Sequence, residues 1–496
     1  MNRTFIVKRR AKPAQKNSNM RSTIILLLCA MAFSGLAADT KGYELKFTVK
    51  GLKEGSNCIL AHYHYNFQLK KDSVTSNAKG EFVFKGDEKY PEGMYLVIFP
   101  KASANKKYFD FVMDAGQHFS LETDTVDYIK NMKVKGSEEN RIFFEYQHYI
   151  SGQQKLIEPL REQYKKVKNN KDSAKLLQDQ MTVIDKSVKA YKTKVLESNN
   201  KLFIAKLLKA TDEPEIPESP LLENGKKDTL FPFRYYKAHF WDNFDFSDER
   251  MLRTPVFHPK IKQYLDKLTV QVPDSINVSV DYLIEKGKAH PEVFKYLVNL
   301  LVYDYESSKR MGFDAVFVHI VEKYYLTKQV TWIDSTRMYK VSERAYILKP
   351  LLIGKKAPSI VMQDTTGKTI PLYDVKAKYT VVIFWDYNCG HCKKDIPALH
   401  EIYKTKLKAM GVEVYAVETD NGLKEWKKFI KENNLSWINV IEQDDYKRAV
   451  TKKFYDIYKT PIMYLLDENK IIKAKHLDNE QLVSFIEMLE KEKNKK

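Results

Sequence analysis

YTVVIFWDYNCGHCKKDIP, residues 379–397, places an apolar, β-branched run directly before two cysteines spaced three apart, Cys389 and Cys392. Such a run reads as a fully buried strand. The residues after the cysteines read as a helix, with Gly411 as its stop signal. Cys389 therefore lies between the end of a buried strand and the start of a helix. A thiolate is the species that attacks a disulfide. It is favoured by the unpaired N–H groups and positive dipole end of a helix N-terminus, by a nearby cation, and by partial exposure. Cys389 is expected to have the first and third, and a protonated His391 supplies the second. Cys392, one turn on, is expected to be sheltered and placed to attack a mixed disulfide and release the product. Read as half of a zinc site, the pair lacks its other half, because no second CxxC or HxxxH is present. Asp395 is an acid in the first helical turns, where the dipole favours a carboxylate in any case. Trp385 reads as core packing.

Outward from this stretch, strand and helix patterns alternate. "SIVMQDTTGKTIPLYDV" reads as a hairpin about Gly367, "VEVYAVET" as a strand, "GLKEWKKFIKENN" as a helix and "SWINVI" as a strand. "DYKRAVTKKFY" reads as a short helix, "TPIMYLLDENKIIKAKH" as a hairpin and "NEQLVSFIEMLEKEK" as a closing helix. This order predicts a layered α/β domain over 354–496.

Pro397 falls inside the first turns of the helix, and Thr460-Pro461 opens a later strand. With these in place, residues from about 354 to 492 resemble a thioredoxin-fold domain of the TlpA/ResA-like extracytoplasmic thiol-disulfide oxidoreductases. "FWDYNCGHCKKDIP" is similar to their strand, active-site loop and helix, and "KTPIMYLLDENKII" to their cis-proline strand and hairpin. The resemblance implies that Cys389 is the attacking thiol and Cys392 the resolving one. It implies that Pro461 is a cis-proline shaping the substrate groove and keeping metals off the cysteines, and that the Thr460 backbone pairs with an extended substrate segment. It places a carboxylate, Asp395, close to the thiols. Two positions depart from the pattern. Ile383 stands where thioredoxins carry a buried aspartate, and Asn388 stands where tryptophan commonly precedes the first cysteine.

The resemblance implies protein thiols and disulfides of the cell envelope as substrates, and an upstream thiol-disulfide partner to recharge the pair. No organic cofactor is expected, because the Cys389–Cys392 couple itself carries the electrons. Its direction is balanced: His391 favours the thiolate and so a more oxidising disulfide, while Asp395 disfavours a nearby thiolate. The family resemblance points to a reductase. Peroxide reduction is one alternative, but it needs a Thr-x-x-Cys signature that "WDYNC" lacks. The other alternative is an envelope binding module with a subsidiary redox domain, since the preceding residues hold over half the chain and show no catalytic constellation.

Those residues are expected to form two domains. Residues 39–136 show short β-rich runs punctuated by Gly and Asn, the pattern of an antiparallel sandwich or barrel-like domain. Residues 137–349 open with "SEENRIFFEYQHYI", a polar start with early acids and apolar positions at helical spacing, and read as a mostly helical domain. Together with "LLIGKKAP" they resemble envelope proteins in which domains of unknown function precede the redox domain. Cys58 is expected to be a small buried hydrophobe. His62 and His64 share a strand face without a third metal ligand, and "YYKAHFWDNFDF" is expected to pack as aromatic core.

At the N-terminus, seven basic residues and no acid accompany the apolar run "IILLLCAMAF" and the small residues that follow, the layout of a secretory signal over 1–38. The run is too short to span a bilayer, and Leu28 before Cys29 argues against lipidation. An exported, periplasmic or envelope chain follows, touching a membrane only through a retained signal or lipid anchor. The formal net charge of +19 falls to +12 without that segment, and it reads as a lysine-rich solvated surface. No nucleic-acid recognition motif is present.

Overall fold

The computed structural model describes residues 41–99 and 108–494; the 1–38 signal segment lies outside the described residues. In β1 (Tyr43–Lys50) Leu45, Phe47 and Val49 are buried and their neighbours are not, the period-2 pattern of a strand with one face on a core. The strands β2 (Asn57–His64), β3 (Phe67–Thr75), β4 (Glu81–Gly86), β5 (Gly93–Ile98), β6 (Tyr108–Met113), β7 (His118–Asp124) and β8 (Lys133–Lys135) follow. They form two four-stranded sheets, ordered β4-β1-β7-β8 and β3-β2-β5-β6. The expectation of a purely antiparallel arrangement is corrected: β1 pairs β7 in parallel, Leu45 opposite Phe119 and Phe47 opposite Leu121. The chain runs through the whole second sheet between them, so β7 re-enters beside β1 in the same direction.

Next come α1 (Glu138–Val167), α2 (Lys171–Ser198), α3 (Phe203–Ala210), α4 (Phe231–His239), α5 (Phe257–Asp266), α6 (Pro273–Gly287), α7 (Pro291–Glu306), α8 (Asp314–Ile320) and α9 (Ser335–Leu348). Ser137 caps α1, accepting the Asn140 N–H at 3.2 Å. Two residues then fasten α1 to its neighbours. Fully buried Asn140 takes the Val112 N–H and gives to the Val112 carbonyl, both at 2.7 Å. The Glu139 carboxylate accepts the Phe203 and Ile204 N–H groups at 2.7 and 2.8 Å, serving as the N-terminal cap that α3 lacks locally. One hydrophobic cluster runs from Tyr43 to Leu348 and includes both sheets and these helices. Cys58 is buried in it, and Trp241, Phe244 and Phe246 of the aromatic stretch pack there as expected, with Phe244 stacked on Phe257. His62 is buried against the Tyr95 ring at 5.5 Å.

The last part is built on β9 (Val361–Asp364), β10 (Thr369–Pro371), β11 (Tyr379–Trp385), β12 (Val412–Glu418), β13 (Ile438–Ile441), β14 (Ile462–Asp467) and β15 (Ile472–Lys475). They form one sheet, ordered β10-β9-β13-β12-β11-β14-β15. The intervening helices are α10 (Gly390–Ile402), α11 (Leu423–Glu432), α12 (Asp445–Phe454) and α13 (Asn479–Lys493). β11 is buried at every residue and lies between parallel β12 and antiparallel β14. Its side chains divide by parity: Val381, Ile383 and Trp385 join the core under α10, and Val382 and Phe384 join the core on the opposite face. The chain is thus multidomain with a thioredoxin-like C-terminal domain. Lys475, buried on β15, pairs with Asp314 of α8 and donates to the Leu351 carbonyl at 2.9 Å. Arg344 of α9 grips the Asp456 carboxylate with both terminal guanidinium nitrogens, Nη1 and Nη2.

Candidate active site

β11 ends at Trp385, and the chain turns through Asp386. The Asp386 carboxylate accepts the Asn388 N–H at 2.7 Å and its carbonyl accepts the Cys389 N–H at 3.1 Å. This turn sets Cys389 as the residue that caps α10, in extended backbone geometry with no side-chain cap of the usual kind. The unpaired N–H groups of the first turn therefore find the Cys389 sulfur. Burial raises the Cys389 thiol pKa. The Cys392 N–H, the Thr460 hydroxyl, the Cys392 thiol and the His391 N–H together outweigh that, and the net value lies below that of an ordinary cysteine. Cys389 is half-buried, which leaves a path to its sulfur. Its S–H reaches the Thr460 carbonyl at 3.4 Å.

Cys392 is the opposite case. It is fully buried against Trp385, Ile396 and Leu399, and burial pushes its thiol up to about 12, even though the Asp386 N–H also reaches the sulfur. Both cysteines are free thiols. The two sulfurs thus differ in the sense that a stepwise exchange requires: one ready to attack, one held back.

The Thr460-Pro461 peptide bond is cis, and both residues are partly exposed beside Cys389. The structure therefore brings together Cys389, Cys392, Thr460 and Pro461. His391 is exposed on the rim, and what it gives to the Cys389 sulfur is its backbone N–H. Asp395 stands three residues after Cys392 on α10, partly exposed, with its carbonyl accepting from Asn479 Nδ2 at 2.9 Å. Trp385 is buried and packs on Phe429 at 5.2 Å.

Sequence reasoning missed Glu418. It ends β12, is 1% exposed, and its Cα register partner on β11 is Trp385. One carboxylate oxygen accepts the Thr419 and Asp420 N–H groups at 3.0 Å each; the other is buried without a hydrogen-bond partner. Burial pushes this carboxyl up to about 8. The available signal was an acid directly after the apolar run "VYAV" that fills the second half of the strand.

Three family models match the chain: the domain of unknown function DUF4369 over residues 43–143, the domain of unknown function DUF5106 over 147–346, and the AhpC/TSA family over 353–475. The thiol-disulfide oxidoreductase ResA of Bacillus thuringiensis subsp. konkukian is 34% identical over 117 residues, which are 24% of this chain and 65% of that protein. The chain thus spans about two thirds of the length of such relatives. ResA of Bacillus cereus strain ZK is 31% identical over 140 residues, 28% of this chain and 78% of that protein. Among solved structures, a domain of a possible thiol-disulfide isomerase from Cytophaga hutchinsonii is 44% identical, covering 30% of this chain and 99% of its own, with a TM-score of 0.28. By its match to ResA and to the AhpC/TSA model, this chain belongs to the TlpA/ResA-like thiol-disulfide oxidoreductases, its redox domain preceded by domains of unknown function.

Proposed function

We propose that this chain is an exported enzyme that reduces protein disulfides through its Cys389–Cys392 pair. The observation that carries the reading is the asymmetry of the two sulfurs at the start of α10: Cys389 half-buried with a lowered pKa, Cys392 buried and held near 12. In this reading the Cys389 thiolate attacks a substrate disulfide and expels one substrate thiolate. Cys392 then attacks Cys389, closes the internal disulfide and releases the second thiolate. The backbone of Thr460 and the ring of Pro461 form the groove that holds the substrate segment, while His391 and Asp395 tune the couple. The electrons come from an upstream dithiol partner, with no organic cofactor.

The reductase direction rests on the resemblance of the active-site stretch to the TlpA/ResA-like family, and the envelope location on the basic-apolar-small leader of 1–38. Among the described residues no helix is long and apolar enough to cross a membrane. The same reading takes 39–136 as a sandwich-like domain, 137–349 as a helical domain and 354–496 as the redox domain. Trapping tests it. A Cys392→Ala chain should accumulate substrate proteins on Cys389 as reductant-sensitive adducts, and a Cys389→Ala chain should hold none and lose insulin reduction. Insulin reduction that survives Cys389→Ala overturns the reading.

A further inference from the structure

The resolving step poses a proton problem. Cys392 must lose its proton to attack, yet it is fully buried. A buried thiol of this kind needs a buried acceptor. Ile383, below it on β11, is apolar. On β12, residues Val412, Val414 and Ala416 face the core that contains Cys392, whereas Tyr415 and Val417 face the other core. The period of two carries Glu418 onto the Cys392 side, at the strand end level with Trp385.

Two further links place this carboxyl beneath the redox loop. The N–H of Asp386, the residue after Trp385, reaches the Cys392 sulfur, and the charge of Asp386 is felt by Glu418. In addition, the free oxygen of Glu418 is buried without a partner, as are the indole N–H groups of Trp385 and Trp426. A lone acceptor oxygen in a dry core is costly unless it has a use, since an unmade bond there costs about 1–3 kcal/mol.

We propose that Glu418 is the acid–base group that receives the Cys392 proton when the mixed disulfide is resolved. The inference rests on the exchange reading given above. In the step, Cys389 is bonded to the substrate sulfur. The Cys392 proton moves to the Glu418 carboxylate, and the Cys392 thiolate attacks the Cys389 sulfur. The Cys389–Cys392 bond forms, and the bond to the substrate sulfur breaks. The substrate sulfur leaves with the electron pair as a thiolate and takes a proton from water. The protein pair is oxidised by two electrons and the substrate disulfide is reduced by two. On recharging by the upstream dithiol, Cys392 recovers its proton.

The groups facing Glu418 are Asp386 from the loop, Asp420 after β12, and the Tyr387 phenol, which bonds Asp420 at 3.3 Å and senses Glu425 at the start of α11. The carboxylate form of Glu418 grows as pH rises towards about 8, so resolution accelerates over that range. The test is single-turnover reduction of a peptide disulfide by the full chain, wild type against Glu418→Gln, from pH 6 to 9. Formation of the mixed disulfide should proceed in both. Its resolution should fall about 100-fold in Glu418→Gln, the lower range for loss of a general base, and lose its rise towards pH 8.

Equal resolution rates and equal pH profiles overturn the proposal and leave the exchange reading intact. So does a rise that Asp395→Asn abolishes and Glu418→Gln keeps. Absence of any mixed disulfide in the wild type overturns both readings together. A second readout, independent of how the variant folds, uses wild type alone. The reduced-minus-oxidised infrared difference spectrum should contain a protonated-carboxyl band that shifts on ¹³C labelling of glutamate. A spectrum without such a band overturns the proposal.

Discussion

Replacing Asp314 with asparagine keeps the shape of its side chain and removes the charge that faces Lys475. The Lys475 side chain is 4% exposed and the Asp314 side chain 18%. In the variant, the ammonium keeps a single firm acceptor, the Leu351 carbonyl at 2.9 Å. Removing one partner of a buried ion pair costs about 3–5 kcal/mol, because the remaining charge stays buried and uncompensated. The retained carbonyl bond and the partial exposure of Asp314 put the expected loss at the lower end, about 3 kcal/mol. Replacing both partners, Lys475→Met with Asp314→Leu, removes the desolvation cost together with the attraction, and should cost within about 1 kcal/mol of nothing. Urea unfolding of wild type, Lys475→Met, Asp314→Leu and the double variant, followed by tryptophan fluorescence, measures the coupling, with Asp314→Asn unfolded alongside. The expected interaction energy is about 2–3 kcal/mol. A loss under about 1 kcal/mol for Asp314→Asn, or a double variant as unstable as the single, refutes the assignment of this pair as the brace between α8 and β15.

Asn140→Ala should cost about 2–3 kcal/mol in the same unfolding assay, because it leaves both the N–H and the carbonyl of Val112 buried without their partner. Glu418 carries a raised folded-state pKa of about 8 against an ordinary value of 4.5, so the folded state favours its neutral form. Its contribution to stability is full below about pH 4.5 and is lost as pH climbs through 8, a decline on the order of 5 kcal/mol that Glu418→Gln should flatten in urea titrations at stepped pH. A methyl group at Gly422 would lie 1.9 Å from the Tyr387 hydroxyl, so Gly422→Ala should push this loop tyrosine aside. We expect insulin reduction to change about threefold or more while the melting temperature moves by only a few degrees.

Much of the redox domain was legible because its signals are local. The seven-residue apolar run of β11, the two cysteines, the Thr-Pro pair at 460–461 and the stop at Gly411 each declare themselves within a few residues. Gly411 sits at φ 76°, where glycine is at ease. What sequence reading missed depends on partners far apart in the chain. The parallel pairing of β1 with β7 has no local signature, since alternation looks the same in either direction. The bridge from Arg344 to Asp456 joins residues 112 positions apart. Glu418 was passed over because an acid at a strand end reads as a solvated rim. Only the neighbouring strand and helix show that it is covered. The shared core of the front sheets and the following helices was hidden for the same reason: Asn140 and Glu139 look like ordinary first-turn polar residues until Val112 and Phe203 are seen opposite them.

The most direct test is the rate of alkylation of Cys389 in the reduced full chain as a function of pH, read site by site by mass spectrometry. The N–H groups at the start of α10 should bring half-maximal reactivity below the free-cysteine value of about 8.5, with Cys392 unreactive across the same range. A midpoint at or above that of a free peptide thiol, or equal labelling of the two cysteines, would contradict the account.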